Sequence, residues 1–396
     1  MCDMDIRHRK TVFVSISTDE RAERLKVEGI LAYAHEKTGV KWQVQLDPGG
    51  LIRRIAANPE RYGIDGIIAY VTDSQLRHHL SKAHCPTVLI EDQDNPDKPI
   101  ADRLHLSLVC DHFNEGRKAA EYFLGRHFSN FAWVGHNEPI RWAKLRQQGF
   151  AAALKEHGFN CHAYPTPSGE ARRNFSVELP ILSDWLRQLP RPCALLACRD
   201  SRARQVIVAA EHAAIPVPES VAILGVDDDS IICTTCDPTL SSISTSDRTV
   251  GYTAGRALNE LMLNRAPGRI LRTHSPHIVT RRSTDAEAID DPIIARALQY
   301  VRSHLSEKLE AEDLARAVKY PRHALQSRIE RALGITLGRE IRRIRIATAA
   351  QMLLATDKSV AEISESCGFA STTHLCQWMR AAYGMTPLVY RKRYLS

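Results

Sequence analysis

The stretch "SVAEISESCGFASTTH", residues 359–374, carries a helical pattern that stops at Gly368 and resumes within three residues. Val360, Ile363 and Cys367 fall on one helical face, and Leu375, Trp378 and Met379 form the next apolar stripe. Glycine adopts the left-handed turn conformation that other residues reach only at a cost, so the pattern predicts helix, sharp turn, helix. Such a pair projects the polar face of its second helix outward, which is how a helix-turn-helix enters a major groove.

The preceding segment repeats the design. In "EAEDLARAVKYPRHALQSRIERALG" (310–334), Leu314, Ala315 and Val318 mark a short helix, Lys319, Tyr320 and Pro321 interrupt it, and Leu325, Ile329 and Leu333 recur at steps of four. Between the two units, "LGREIRRIRIATAAQMLLAT" (337–356) contains no proline and is long enough for one helix of about 30 Å. That is close to the roughly 34 Å between successive major grooves on one face of a duplex.

On the first reading helix the outward residues are Arg322, His323, Gln326 and Ser327. On the second they are Thr372, Thr373, His374 and Gln377, with Ser371 just ahead. Gln pairs with adenine and Arg with guanine edges, whereas Ser and Thr discriminate weakly, so the first helix is expected to carry more sequence information. Arg380, Arg391 and Lys392 suit phosphates. Taken singly, each of these side chains also fits a solvated helix face.

Charge agrees with this placement. Residues 291–396 hold 17 Lys and Arg against 10 Asp and Glu, whereas residues 1–290 hold 36 of each. The whole surplus of +7 therefore sits in the last quarter of the chain, as expected of a domain that meets a polyanion such as double-stranded DNA.

From residue 11 to about 284 the pattern differs. Short apolar runs ("TVFVSIS", "GIIAYV", "PTVLIE", "LSLVCD", "FAWVG", "ALLAC", "VAILGV") alternate with helix-like segments such as 20–38, 114–125, 143–157 and 202–213. Runs apolar on both faces imply parallel strands covered on both sides. Some 270 residues of this kind are long for one doubly wound sheet and suit two similar lobes with a ligand in the crevice at the carboxyl ends of the strands. The composition changes at "HIVTRRSTDAEAIDDP", where Asp290 or Asp291 can cap a helix with Pro292 in its first turn. The expected domains are 9–285, α/β and two-lobed, and 290–396, all-α with two helix-turn-helix units.

The crevice has candidate ligands. One strand is expected to end at Arg199 and Asp200 and its neighbour at Asp227 and Asp228. Paired carboxylates there can accept hydroxyl hydrogen bonds from a polyol. In "IRWAKLRQQGFAAAL", Arg141, Trp142 and Arg146 stand at a helix entrance, where an arginine fork donates and the indole can stack on a pyranose. The alternatives are a core Trp142 and a structural Arg146–Asp200 ion pair. In the first lobe, Ser17, Asp19 and Arg24 follow the first strand.

Other classes find less support. The acids Asp227 to Asp229 have no Gly-rich phosphate loop or Walker-type Lys beside them, so the chain is not read as an enzyme. Cys233 and Cys236 have no second pair at metal-ligand spacing, so no metal or cofactor is expected. The scattered cysteines suit a reducing compartment, and no segment has signal-peptide or membrane-span length, so the protein is expected to be cytoplasmic with no membrane partner. The rivals are a sugar-binding module or a sugar-modifying enzyme whose basic tail docks on an acidic protein.

On "ISESCGFASTTHL" and the closing "GMTPLVYRKRY", residues 292–396 resemble the AraC-type DNA-binding domain. Ile329 and Met379 replace its usual phenylalanines, and Ser327 and Gln377 stand where Arg is common. "VPESVAILGVDDD" and "RQQGF" resemble the periplasmic-binding-protein-like sensor of LacI-type repressors, whose reading head precedes the sensor; ten residues before the first strand leave no room for one. Sensor first and AraC-type reader last, with "RWA", "DSRAR", "IPVPE" and "RRSTD" followed by "DP", resembles the bacterial xylose-operon regulators over nearly the whole chain. That resemblance implies D-xylose as inducer, Arg141, Arg146, Asp200 and Asp227 as its ligands, transcription activation with RNA polymerase as a further partner, and a homodimer.

Overall fold

The computed structural model describes residues 9–36, 41–71, 73–92, 101–265, 271–272, 276–285 and 291–395. They form two compact units, one from the chain up to Asn114 together with Thr245–Ser275, the other from Glu115–Ser244 together with Pro276 onward. The chain thus passes between the units three times.

The first unit opens with β1 (Lys10–Ser15), α1 (Arg21–Glu36), β2 (Trp42–Leu46), α2 (Ile52–Ala57), β3 (Gly66–Tyr70), α3 (Ser74–Leu80), β4 (Thr87–Asp92) and β5 (His105–Cys110). The second follows with α4 (His112–Leu124), β6 (Asn130–Val134), α5 (Arg141–Glu156), β7 (Cys161–Ala163), α6 (Phe175–Gln188), β8 (Cys193–Ala197), α7 (Asp200–His212), β9 (Val221–Val226), α8 (Ser230–Thr235) and β10 (Ser241–Ser244). The chain returns for α9 (Asp247–Met262) and β11 (Leu271–Arg272), then re-enters the second unit at β12 (His277–Val279).

Strand order is β11-β5-β4-β3-β1-β2 in one sheet and β12-β10-β9-β8-β6-β7 in the other. Pairing is parallel throughout except between β10 and β12. β5, β8 and β9 are buried at every residue, because helices cover both faces of each sheet. In the second unit α4 lies so close to α5 that a Cβ on Gly116 would overlap the carbonyl oxygen of Arg146. A glycine there lets the two backbones touch and brings Glu115 to Arg146.

From Pro292 onward the described residues contain only helices: α10 (Pro292–Ser303), α11 (Ala311–Val318), α12 (Arg322–Leu333), α13 (Leu337–Ala355), α14 (Val360–Ser366), α15 (Thr372–Tyr383) and α16 (Pro387–Leu395). Asp291 caps α10, accepting from the backbone N–H of Ile293 (3.0 Å) and Ile294 (3.3 Å); Asp290 lies outside the described residues. Lys319, not a glycine, takes the left-handed conformation (φ 53°) between α11 and α12, and Gly368 (φ 67°) takes it between α14 and α15. Ser359 and Glu362 form a reciprocal capping box at the start of α14.

Two small cores hold this part together. Leu314, Val318, Leu325 and Ile329 pack with α10 and with Leu337 and Ile344 of α13. Ile363, Cys367, Leu375 and Met379 pack with Ile346, Ala349 and Leu353 of the same helix. The single helix α13 therefore belongs to both cores.

Candidate functional site

In the second unit the candidate sugar residues gather around one arginine. Arg146, on the second turn of α5, is 4% exposed. Its Nε donates to Glu115 Oε2 (2.5 Å), Nη1 to the Cys198 carbonyl (2.6 Å) and Nη2 to Asp227 Oδ1 (3.4 Å). The guanidinium also lies over the Trp142 ring, 4.8 Å from its centroid. Trp142 in turn packs against the core beneath α5 and meets His136 edge-on. Burial opposes the charge of Arg146, yet Glu115 and Asp227 raise its pKa above the ordinary arginine value, so it stays cationic.

Asp227 and Asp228 follow β9 on a turn where both have positive φ, 102° and 48°. L-residues hold such a conformation only when the surroundings enforce it. Here the Asp227 N–H donates to the Ile243 carbonyl (2.9 Å) and the Asp228 N–H to Ser242 Oγ (3.0 Å). Arg281 clamps Asp228 through Nη2 (2.8 Å) while its Nη1 holds the Leu240 carbonyl (3.0 Å). Two partly exposed carboxylates, each backed by an arginine, form a surface of paired acceptors with adjacent fixed donors, which is what a neutral polyol binds.

Asp200 corrects the expected arrangement. β8 ends at Ala197 and Asp200 starts α7, with its side chain turned inward and 1% exposed. It accepts from Ser242 Oγ (2.6 Å), from the Asp229 N–H (2.6 Å) and from Cys233 Sγ (3.5 Å). Burial, reinforced by the charge of Asp227, pushes its carboxyl up to about 8. Asp200 thus supports the 227–229 turn from behind, and the alternative Arg146–Asp200 ion pair gives way to Arg146–Glu115 and Arg146–Asp227. Arg141 occupies the first position of α5 and is half-buried.

The loop carrying His136 is anchored by residues that sequence reasoning did not single out. Arg202 donates through Nε to the Gly135 carbonyl (3.1 Å) and grips Glu178 with both terminal nitrogens (2.8 and 2.5 Å). In the first unit, Ser17 and Asp19 lie on the exposed turn between β1 and α1, and Arg24, exposed on the first turn of α1, reaches back to it. Ser17 Oγ donates to Asp19 Oδ2 (3.1 Å), and Arg24 Nη1 to the carbonyls of Thr18 (2.9 Å) and Asp19 (2.7 Å).

On α12, Arg322, His323 and Ser327 are exposed and Gln326 is half-buried; Arg322 pairs with Glu312 of α11. On α15, Thr372, Thr373, Gln377 and Arg380 are exposed, with Ser371 capping the helix by accepting from the His374 N–H (3.2 Å). His374 is not a fully projecting side chain: its ring packs on Trp378 at 4.3 Å. Arg391 also departs from the expected role. It donates to the carbonyls of Leu353 (2.9 Å), in the last turn of α13, and of Thr356 (3.3 Å) and Lys358 (2.6 Å) just beyond it, satisfying one orphan carbonyl of the helix and two of the segment that follows. Lys392 is exposed. Among the described residues no cluster of three metal-ligating side chains occurs, and no helix is long and apolar enough to cross a membrane.

Comparison with known proteins fits both halves. A profile for a periplasmic binding protein-like domain matches residues 120–284, and one for a helix-turn-helix domain matches 314–393. The xylose operon regulatory protein of Escherichia coli (strain K12) is 26% identical over 97% of each chain, and that of Haemophilus influenzae 25% over 93% of this chain and 95% of its own. The solved structure of a xylose-binding transcription activator superposes with a TM-score of 0.61 at 25% identity, covering 98% of each chain. The chain is a sugar-responsive transcription regulator, similar over nearly its whole length to the xylose-operon regulators. A LacI family regulator with bound ribose (TM-score 0.55, 19% identity, 69% of this chain and 98% of its own) shares the fold of the sensor. The regulator is accordingly a sugar-responsive DNA-binding protein of the AraC type rather than an enzyme.

Proposed function

We propose that the regulator binds D-xylose, or a pentose closely related to it, through Asp227, Asp228, Arg146, Arg141 and Trp142 of the second unit, with Ser17, Asp19 and Arg24 supplying the first-unit side. The observation that carries this reading is the Arg146–Asp227 pair (3.4 Å), set on a turn whose backbone strain is maintained by Asp200, Ser242 and Ile243. The relatives' names supply the sugar. Sugar favours closure of the two lobes, and it shifts that equilibrium only by its differential affinity for the closed form.

The domains of this reading are 9–285 for sensing and 290–396 for DNA. Arg322, His323, Gln326 and Ser327 on α12, and Thr372, Thr373 and Gln377 on α15, address base edges in two successive grooves; Arg380 and Lys392 take phosphates. We place the regulator in the cytoplasm as a homodimer that activates transcription through RNA polymerase. The free cysteines among the described residues suit that compartment. Calorimetric titration against a panel of pentoses and hexoses, followed by DNA-binding measurements with and without the sugar that binds, tests the reading. Absence of pentose binding overturns it.

A further inference from the structure

Within the second unit the reader is bonded to the sensor as well as joined to it by the chain. Gln351 of α13 donates through Nε2 to the Ile278 carbonyl of β12 (2.5 Å) and to Thr280 Oγ1 (2.9 Å). About three turns earlier on the same face of α13 stands Glu340, which is 0% exposed. It accepts from Arg343 Nε (2.8 Å) and Nη2 (2.5 Å) and faces His127 Nε2, just beyond the end of α4, at 3.4 Å. Burial works to raise the Glu340 carboxyl, but hydrogen bonds from Arg343 and His127 outweigh it and hold the group down to about 2. The seat is therefore ionic at one end and hydrogen-bonded at the other.

The segment beneath this seat is itself fixed to α4. Tyr122 shares hydrogen bonds with Thr280 Oγ1 (3.1 Å) and Thr284 Oγ1 (2.7 Å). Arg126 donates to the Thr284 carbonyl (3.2 Å) and lies 4.2 Å over the Tyr122 ring. β12 is also the first strand after the third passage of the chain, and it pairs with β10, the last strand before the second, with Ser244 opposite His277. Any rearrangement of these strands moves the Ile278 carbonyl, and with it the helix that unites both reading units.

We infer that Gln351 and Glu340 are positioning residues that couple sugar binding to DNA reading, through the seat of α13 on β12 and α4 rather than through the covalent path of residues 286–290. The inference rests on the sugar-responsive reading given above, and the experiment separates the two.

With the full-length chain, D-xylose affinity is measured by calorimetry. Affinity for a duplex selected from random sequence by the wild-type chain is measured by anisotropy with and without D-xylose. The wild type is expected to show a sugar-dependent change in DNA affinity of about fivefold or more. Gln351→Ala and Glu340→Gln keep xylose affinity within about twofold of wild type, whereas their sugar-dependent change in DNA affinity falls below about twofold. Lengthening the chain by a few Gly and Ser residues between 285 and 291 leaves the wild-type response in place. A Gln351→Ala protein that responds like wild type overturns the inference, as does loss of the response on lengthening alone. A wild type that binds D-xylose but shows no change in DNA affinity overturns the sugar-responsive reading itself, and the inference with it.

Discussion

Replacing Gly368 by alanine is expected to weaken the second helix-turn-helix far more than the same change at Gly384 or Gly334. All three glycines have nearly the same backbone conformation, with φ of 67°, 70° and 68°. The left-handed conformation costs an L-residue about 1–2 kcal/mol, and that part is common to all three. At Gly384 and Gly334 nothing lies within 4 Å of the position a Cβ would take. At Gly368 that Cβ would overlap the Leu305 carbonyl oxygen and come within 2.6 Å of Arg345 Nη2. Neither neighbour can yield cheaply. Leu305 is 9% exposed at the end of the core of the first helix-turn-helix, and Arg345 is anchored on the Glu307 carbonyl (2.6 Å). Forcing atoms into a packed site adds about 1–3 kcal/mol, so Gly368→Ala should destabilise by about 2–5 kcal/mol in total. Because the contact joins the turn of the second helix-turn-helix to the core of the first helix-turn-helix, the two reading helices should also lose their fixed spacing. Urea unfolding of the full chain, with α14 and α15 followed by amide exchange, compares the three variants, and DNA affinity is measured alongside. Equal destabilisation by Gly368→Ala and Gly384→Ala, to within about 0.5 kcal/mol, would refute the reasoning.

Asp200 gives a pH dependence: burial and then the Asp227 charge hold its folded pKa at about 8, above the ordinary 3.8, so between those values the folded state binds more protons than the unfolded state and stability falls as pH rises. Asp200→Asn should flatten that slope in a series of urea midpoints across the same range. Arg146→Ala is expected to destabilise the sensor by about 3–5 kcal/mol because it breaks the buried ion pair of Arg146 with Glu115, whereas Asp227→Asn should keep the fold and weaken sugar binding by about 1.5–3 kcal/mol, as calorimetry and thermal melts would show. For the reader, Arg322→Ala should relax base preference at one position with a loss of about 1–3 kcal/mol. Lys392→Ala should lower affinity for every sequence alike and reduce the salt dependence by about one released ion, both read from a salt series on selected and random duplexes.

The helical reader is legible in the sequence because its information is local: a glycine at a left-handed turn, a capping box and apolar steps of three and four. The first turn is less explicit, since Lys319 adopts the left-handed conformation without being glycine. β5, β8 and β9 are equally plain, because strands buried on both faces read as unbroken apolar runs. The edge strands β2 and β7 are short and partly exposed, and they carry no such pattern. The site is legible as residues but not as pairs. Arg146 and Asp227 both stand out, yet only the packing of α5 against β9 brings them together. The inward turn of Asp200 depends on Ser242, 42 positions later on β10. Arg391 looks like any basic residue near a DNA-binding terminus, and nothing local reveals that it closes the end of α13.

The double membership of α13 in the two small cores, together with its bonds to Ile278 and Thr280, bears on how such proteins can be recombined. A cut between residues 285 and 291 looks like a natural joint for grafting a foreign DNA-binding module onto this sensor. A graft made there should assemble and still ignore its effector unless the incoming helix brings an amide opposite Ile278 and a carboxylate opposite His127. Exchangeable parts in this architecture are therefore defined by matched surfaces, and a swap has to carry both sides of the match.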